Sequence, residues 1–467
     1  MSPVNGVWSG RWVADRLGIR LVSDSPESPL HLTDLTGLAL RRNPRRAHLL
    51  VSSVLGKHVP TDPRIVYGAG RLLGALVADA LTGESTGIVE TGGGLLKSAL
   101  DGSPDAADAL LALCATRESA GSMTVAGFVS STTVLGFAET ATALGHAVAD
   151  ALDADYLHST RRRCAGADAA GGFEEEHSHA TSHLLLPEDR EILSRSGPLV
   201  LVDDELSTGR TALNTIQALH AYSPRSRYVI ATLVDLRSDD DRKAMAGLGT
   251  SLGAAIEVVA LVAGCIELPA GILGAGQRLV AEHDTTYEVR SGQATPIPVP
   301  VAGWGGAREG GRHGFGSYDR AALHTAAEKV AVQLAAQLTG ERVLVLGFEE
   351  LMYAPLLIAN HLTGRLSDTA DVRFSATTRS PVLAVDDPGY AIRTVLCFPS
   401  HDDPDDGPAP RYAYNIAAGF TDIVFVVDDA GDTDALHAPG GLLDQLAGCC
   451  DQVHLLALPS YCFGDAE

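Results

Sequence analysis

Lysine is almost missing from this chain: Lys57, Lys97, Lys243 and Lys329 are its only examples in 467 residues, whereas arginine, alanine and glycine are abundant. The skew is one of nucleotide composition and carries no chemistry, but it makes a lysine in a polar loop stand out. Cations are scarce altogether. Lys and Arg total 35 against 58 Asp and Glu, a formal net charge of -23, so neither nucleic acid nor an anionic membrane is expected as a partner. A small anionic substrate stays allowed, because a local nest of amides with one or two arginines outweighs a distant field.

Cysteine pairs at metal or redox spacing are also lacking. The seven cysteines include no C-x-x-C, and only Cys449 and Cys450 are adjacent; vicinal cysteines rarely bridge. The set reads as reduced cytosolic thiols, without a structural zinc site. No basic stretch followed by an apolar core opens the chain, and no run of bilayer-spanning length is expected, so the expected location is the cytoplasm. Aromatics make up 5% of the chain, few for stacking a base.

What is present is a patterned α/β sequence. Its length exceeds what one core usually serves, so two domains are expected. Short β-branched runs alternate with Ala/Leu-rich helical stretches, as in "TVAGFVSSTTVLGFAETATALGHAVADAL" and "RYVIATLVDL", which predicts an α/β fold with a mainly parallel sheet. The Gly/Pro-dense stretch Ser291 to Ser317 reads as the connection, placing a boundary near residue 300 between a 1–300 domain and a 301–467 domain.

A weak internal repeat runs through both parts. "VLGFAETATALGHA" (Val134 to Ala147) is matched by "VLGFEELMYAPLLIA" (Val345 to Ala359), "STR" (Ser159 to Arg161) by "TTR" (Thr377 to Arg379), and "LVLVDDELSTG" (Leu199 to Gly209) by "IVFVVDDAGDT" (Ile423 to Thr433). The order is kept while the offset drifts from 211 to 218 to 225, the last counted at the paired acids Asp203–Asp204 and Asp428–Asp429. Two copies of one α/β unit are expected, the second degenerate.

The clearest chemical signal is "PLVLVDDELSTGRTALNTIQALH". Leu199 to Val202 predict a buried strand and a helix begins near Thr211, so the polar loop between them sits at the carboxyl edge of the sheet, where α/β ligands bind. Asp203 and Asp204 at the strand end can accept hydrogen bonds from two neighbouring ribose hydroxyls and help position hydrated Mg2+, a hard cation that prefers oxygen. Ser207, Thr208, Gly209, Arg210 and Thr211 form a turn whose amides and hydroxyls cradle a phosphate at the positive end of the helix. An ordinary acidic turn after a strand is the alternative. Competing phosphate loops fail: Gly92 to Leu100 lacks the glycine before Lys97 that a Walker loop needs, and Gly68 to Gly74 has the wrong spacing for a dinucleotide fingerprint.

These residues resemble the 5-phosphoribosyl-1-pyrophosphate (PRPP) loop of type I phosphoribosyltransferases. More narrowly, the chain is similar to tellurite-resistance-associated phosphoribosyltransferases with a C-terminal TRSP domain, through "VSSVLGKHVP", "GFAETATALG", "YLHSTRR", "VDDELSTGRTALNTI" and "TTRSPV", which contains the tetrad that names the domain. The resemblance implies a phosphoribosyltransferase domain with an N-terminal hood over 1–300, a degenerate TRSP copy over 301–467, Mg2+ as cofactor, and PRPP and a small-molecule acceptor as substrates. A homodimer is the expected assembly.

Site roles follow from the same resemblance. Asp203, Asp204, Arg161, His177 and His179 are the expected catalytic set, with Asp203 and Asp204 holding magnesium partly through water. PRPP is expected to meet Glu205 and the 207–211 turn, the loop Ala138, Glu139 and Thr140, Arg162, and Lys57 beside His58. For 138–140 the alternative is a plain strand-to-helix turn, and for Arg161, Arg162 and Arg163 a solvated basic cluster. The stretch Gly171 to Pro187, with His177, His179 and His183, stands where the family has a mobile lid; metal ligation by the three histidines is disfavoured, and a solvated loop is the alternative. Thr378, Arg379 and Ser380 are expected to clamp an anion or acceptor, or to pack between domains. The expected reaction displaces pyrophosphate from PRPP in nucleoside-like metabolite biosynthesis or stress metabolism. A PRPP-sensing regulator and a pyrophosphokinase are the rivals.

Overall fold

The computed structural model describes residues 7–42, 46–121, 131–162, 171–174, 182–284, 292, 295–367, 369–402, 409–417 and 419–461. Two twisted sheets organise it. In the first, the strands run in the order Arg20–Ser23, Ala255–Glu267, Arg227–Asp235, Leu199–Leu206, Thr133–Gly136, Asp155–His158, all parallel except the antiparallel edge strand Arg20–Ser23. In the second, the order is Ile297–Pro298, Gln452–Leu458, Asp422–Asp428, Arg342–Gly347, Asp371–Ala376, parallel throughout.

The repeat expected from sequence is visible as topology. Reading inward from one edge, 155–158, 133–136, 199–206 and 227–235 in the first sheet correspond to 371–376, 342–347, 422–428 and 452–458 in the second. Each copy also places a helix after its first strand, Thr142–Leu152 and Tyr353–Thr363. The copies diverge after the third strand. A 13-residue helix, Arg210–Tyr222, follows in the first unit, whereas only the short helices Asp434–His437 and Leu442–Ala447 follow in the second, so the second lacks the long dipole that could face a phosphate.

The two units share a core. Helix Pro63–Thr82 begins where Asp62 accepts the Arg64 N–H at 2.9 Å with Pro63 in the first turn, and ends at Gly83 in the left-handed region, φ 72°. It packs on helix Thr142–Leu152 and on the first sheet, and also on helix Tyr353–Thr363 of the second unit. This helix corrects one expectation: it is long and apolar enough to cross a membrane, with mean hydropathy 1.3, but 72% of that stretch is buried inside the protein. Burial against two sheets accounts for its all-round apolarity.

A further cluster joins the amino-terminal segment to the second unit. Trp12, Val13, Leu38 and Leu40 pack with Val382, Tyr390, Ile392 and Tyr414, and the Tyr390 hydroxyl accepts the Leu40 N–H at 2.7 Å. The Gly/Pro-dense connection is likewise packed. Ile297 and Pro298 extend the second sheet, Trp304 and Phe315 are buried, and the Tyr156 and His158 amides donate to the carbonyls of Phe315 and Gly311. Glycine lets this segment lie against the edge strand: a Cβ at Gly311 would stand 2.4 Å from the Tyr156 ring.

Imidazoles buried in this scaffold give it an acid limit. Burial holds His48, His158 and His313 down at about 4 and pushes His58 and His146 well below the usual imidazole range. A lowered folded pKa means the unfolded chain takes protons first, so stability is lost as pH falls from about 6.5 toward 4. Glu205 and Glu349, raised by burial to about 7, act in the opposite sense between about 4.5 and 7, but they are outnumbered. The denaturant midpoint should therefore be lower at pH 5 than at pH 7; a flat or rising profile would show that these imidazoles do not control acid stability.

Candidate active site

Because the central strands of each unit are parallel, their carboxyl ends lie on one edge of each sheet, and the loops that carry 138–140, 161–162, 207–211 and 378–380 emerge there, whereas Lys57 follows the separate antiparallel strand His48–Ser52. Strand Leu199–Leu206 runs further than its apolar residues, through Asp203, Asp204 and Glu205, because pairing with Thr232 and Val234 continues regardless of side chain. Asp203, Asp204 and Glu205 are half-buried, and Asp203 Oδ1 accepts the Asp204 N–H at 3.0 Å. Burial and the Asp204 carboxylate push Glu205 up to about 7, against the pull of Arg46 and Arg41.

The turn then reverses direction into helix Arg210–Tyr222. Gly209 caps it with φ 76°, a conformation that strains any residue with a Cβ, and an added Cβ would also stand 2.9 Å from Met245 Cε. Ser207, Thr208 and Thr211 are half-buried and Arg210 is exposed, its N–H 3.4 Å from Thr208 Oγ1. Arg237 packs behind the turn, held by Asp235 at 2.8 and 2.9 Å. The turn is thus supported from below, and Arg210 at its end is exposed.

The loop after strand Thr133–Gly136 carries Ala138, Glu139 and Thr140, and its Ala138–Glu139 peptide is cis. The Ala138 N–H is spent on Ser159 Oγ at 2.9 Å. Lys57 reaches this loop: buried, it donates to Thr140 Oγ1 at 2.7 Å and lies 3.9 Å from Glu139 Oε1. Glu139 is also buried, and its Oε1 has no hydrogen-bond partner among the described residues.

The two described arginines of the "STRRR" run part company. Arg161 is half-buried and its N–H donates to Glu350 Oε1 at 2.7 Å. Arg162 turns to the second unit, donating to Asp428 Oδ2 at 2.6 Å. Arg163, His177 and His179 lie outside the described residues. His183 is corrected: it belongs to the hairpin Gly171–Glu174 and Ser182–Leu185, is fully buried, and hydrogen-bonds Ser159 Oγ through Nδ1 at 2.8 Å, which is a core position.

The tetrad faces the junction. Thr378 is buried and exchanges backbone hydrogen bonds with Tyr412, Ser380 N donates to Thr378 Oγ1 at 3.2 Å, and Arg379 donates to Glu349 Oε2 at 2.6 Å. Arg411, fully buried, donates to Glu349 Oε1, and Asp402 lies 3.7 Å from Arg379, 3.8 Å from Arg411 and 3.9 Å from Arg162. Burial raises Glu349 to about 7, with Arg379 and Arg411 pulling it down and Glu139 and Asp402 pushing it up.

Glu349, Glu350, Asp402 and Arg411 were not among the residues expected from sequence. A signal existed for Glu350, since the repeat places it opposite Glu139.

Among the described residues no three His, Cys, Asp or Glu side chains gather as a metal cage. Two carboxylates at one strand end nonetheless suit magnesium, which keeps water and ligand phosphate as most of its shell. A cleft of about 1080 Å³ opens elsewhere, lined by the ion pairs of Arg64 with Asp62, Lys97 with Asp34 and Arg373 with Asp371, and no residue of the 203–211 turn lines it.

Residues 35–265 match the family model of a phosphoribosyl transferase, and residues 309–446 match that of the TRSP domain found C-terminal to it. No curated protein matches the chain. Similar solved structures include adenine phosphoribosyltransferases from Trypanosoma brucei (16% identity, 29% of this chain and 60% of that one, TM-score 0.23), Leishmania donovani (18%, 34% and 65%, 0.24) and Giardia lamblia (17%, 35% and 83%, 0.24). The chain spans less than two thirds of the first two. On these two domain matches, in this order, the chain belongs to the family that joins a phosphoribosyltransferase domain to a C-terminal TRSP domain.

Proposed function

We propose that the chain transfers the 5-phosphoribosyl group of PRPP to a nitrogen of a small acceptor, base-like or another amine, releasing pyrophosphate. The observation that carries this reading is the half-buried Asp203–Asp204 pair leading into the Gly209-capped turn at the open edge of the sheet. In this reading the acids accept hydrogen bonds from the ribose diol while the Ser207–Thr211 turn and the helix N-terminus hold the 5-phosphate. The anomeric carbon loses its bond to pyrophosphate oxygen as the acceptor nitrogen bonds to it. Catalysis is mostly rigid placement of an oxocarbenium-like centre, with Lys57, Thr140 and Arg161 facing the departing charge. Asp203 and Asp204 would hold magnesium with the ligand's own oxygens, and the ion would neutralise part of that charge.

The resemblance to the tellurite-resistance-associated group supports a place in nucleoside-like metabolite biosynthesis or stress metabolism in the cytoplasm. The test is pyrophosphate release from PRPP with magnesium, against a panel of nucleobases and small amines. Acceptor-dependent release is expected. Tight PRPP binding without release under any acceptor would make the protein a PRPP sensor, and ATP-dependent formation of PRPP would make it a pyrophosphokinase.

A further inference from the structure

The degenerate second site is occupied by the first unit. Its retained acid Asp428, a counterpart of the Asp203–Asp204 pair, is buried and bound to the Arg162 guanidinium at 2.6 and 3.4 Å. Glu350, the counterpart of Glu139, is buried and takes two hydrogen bonds from the loop that carries Arg161: Thr160 Oγ1 to Oε2 at 2.6 Å and Arg161 N–H to Oε1 at 2.7 Å. On the other side, Arg379, the counterpart of Arg161, binds Glu349 and lies 3.7 Å from Asp402, which in turn lies 3.9 Å from Arg162 of the first unit. Equivalent loops meet across one junction, as at a two-fold interface, here within one chain.

We propose that the TRSP unit is a template for the leaving-group side of the first site, with Glu350 as the positioning residue for Arg161. The loop has few other ways to move. Thr160 exchanges backbone hydrogen bonds with Leu184 at 2.9 Å, and Ser159 is bound to Ala138 and His183. Residues 159 and 160 are thus held from behind by the hairpin, while Glu350 and Asp428 hold 160 to 162 from the front. Burial would raise the Glu350 carboxyl, but Arg312, His158 and the two hydrogen bonds outweigh it and hold it at about 2, so it stays an anion that the loop can bind at neutral pH. Loss of this grip lets the Arg161 backbone drift, and a guanidinium meant for a pyrophosphate oxygen loses its register.

This proposal rests on the phosphoribosyl reading, and calorimetry on the full chain with magnesium separates the two. The ligands are PRPP, inorganic pyrophosphate and ribose 5-phosphate, the last of which lacks the group that Arg161 serves. Glu350→Ala should weaken PRPP and pyrophosphate about 10-fold while ribose 5-phosphate stays within about twofold. Glu350→Gln, which keeps an acceptor for the Arg161 N–H, should recover most of the loss. If Glu350→Ala does not fold, Thr160→Val removes one of the two bonds and should give the same selective loss at smaller size. An equal loss for all three ligands, or no loss in a folded variant, overturns the positioning role and leaves the phosphoribosyl reading in place. Wild-type protein that binds neither PRPP nor ribose 5-phosphate removes both.

Discussion

Replacing Asp203 and Asp204 together by asparagine should weaken PRPP binding at least about 100-fold, because each carboxylate is assigned a hydrogen bond from a ribose hydroxyl and such charged bonds are worth roughly 1.5 to 3 kcal/mol each. Folding should barely change. Both side chains are half-buried at the open end of the strand, and the backbone pairing with Thr232 and Val234 does not depend on them. Removing the Asp204 charge also relieves the neighbour that helps hold Glu205 at about 7, so that carboxyl should titrate lower in the variant. Titration calorimetry gives the affinity and a urea midpoint gives the stability. Unchanged affinity in the folded double variant would remove this turn from the reaction.

Arg411→Met should destabilise the protein by about 3 to 5 kcal/mol, the range for breaking a buried ion pair while its partner stays behind. Arg411 is fully buried, donates to Glu349 Oε1, gives a second bond to the Ala409 carbonyl at 2.9 Å, and lies 3.8 Å from Asp402. The loss should depend on pH with a definite sign. Glu349 already has its folded pKa raised to about 7, so its contribution to stability falls as pH rises from about 4.5 to 7. Without Arg411 the folded value rises further and the fall continues beyond neutrality, making the variant's deficit larger at pH 8 than at pH 6. Urea midpoints across that range decide it; equal deficits would mean that lost packing, not charge balance, accounts for the effect.

The parts of this protein that were legible in sequence are those written in short stretches. Leu199 to Val202 announce a buried strand and Gly209 a turn into a helix, and both stand where expected. The ordered matches between the halves announced two like-connected sheets, and the strand orders agree. What was illegible depends on partners far along the chain. Nothing in "STRRR" distinguishes Arg162, whose mate Asp428 is 266 residues away, from Arg161. The carboxylates of Glu349 and Glu350 acquire meaning only when two sheet edges meet. His183 looked like part of a polar lid because its neighbours are polar, yet the hairpin register turns it inward against Ser159. The connection from Ser291 to Ser317 has no periodicity because its described residues lie on existing edges and, among them, only Ile297–Pro298 form an element before the helix that starts at Ser317.

Helix Pro63–Thr82 is covered partly by helix Tyr353–Thr363, which is made nearly three hundred residues later. A ribosome therefore releases a bilayer-length greasy rod long before one of its shields exists, in a cell full of membranes and other nascent chains. For the whole of that interval, solubility rests on the first unit's own helices and on whatever chaperone stands in for the missing half.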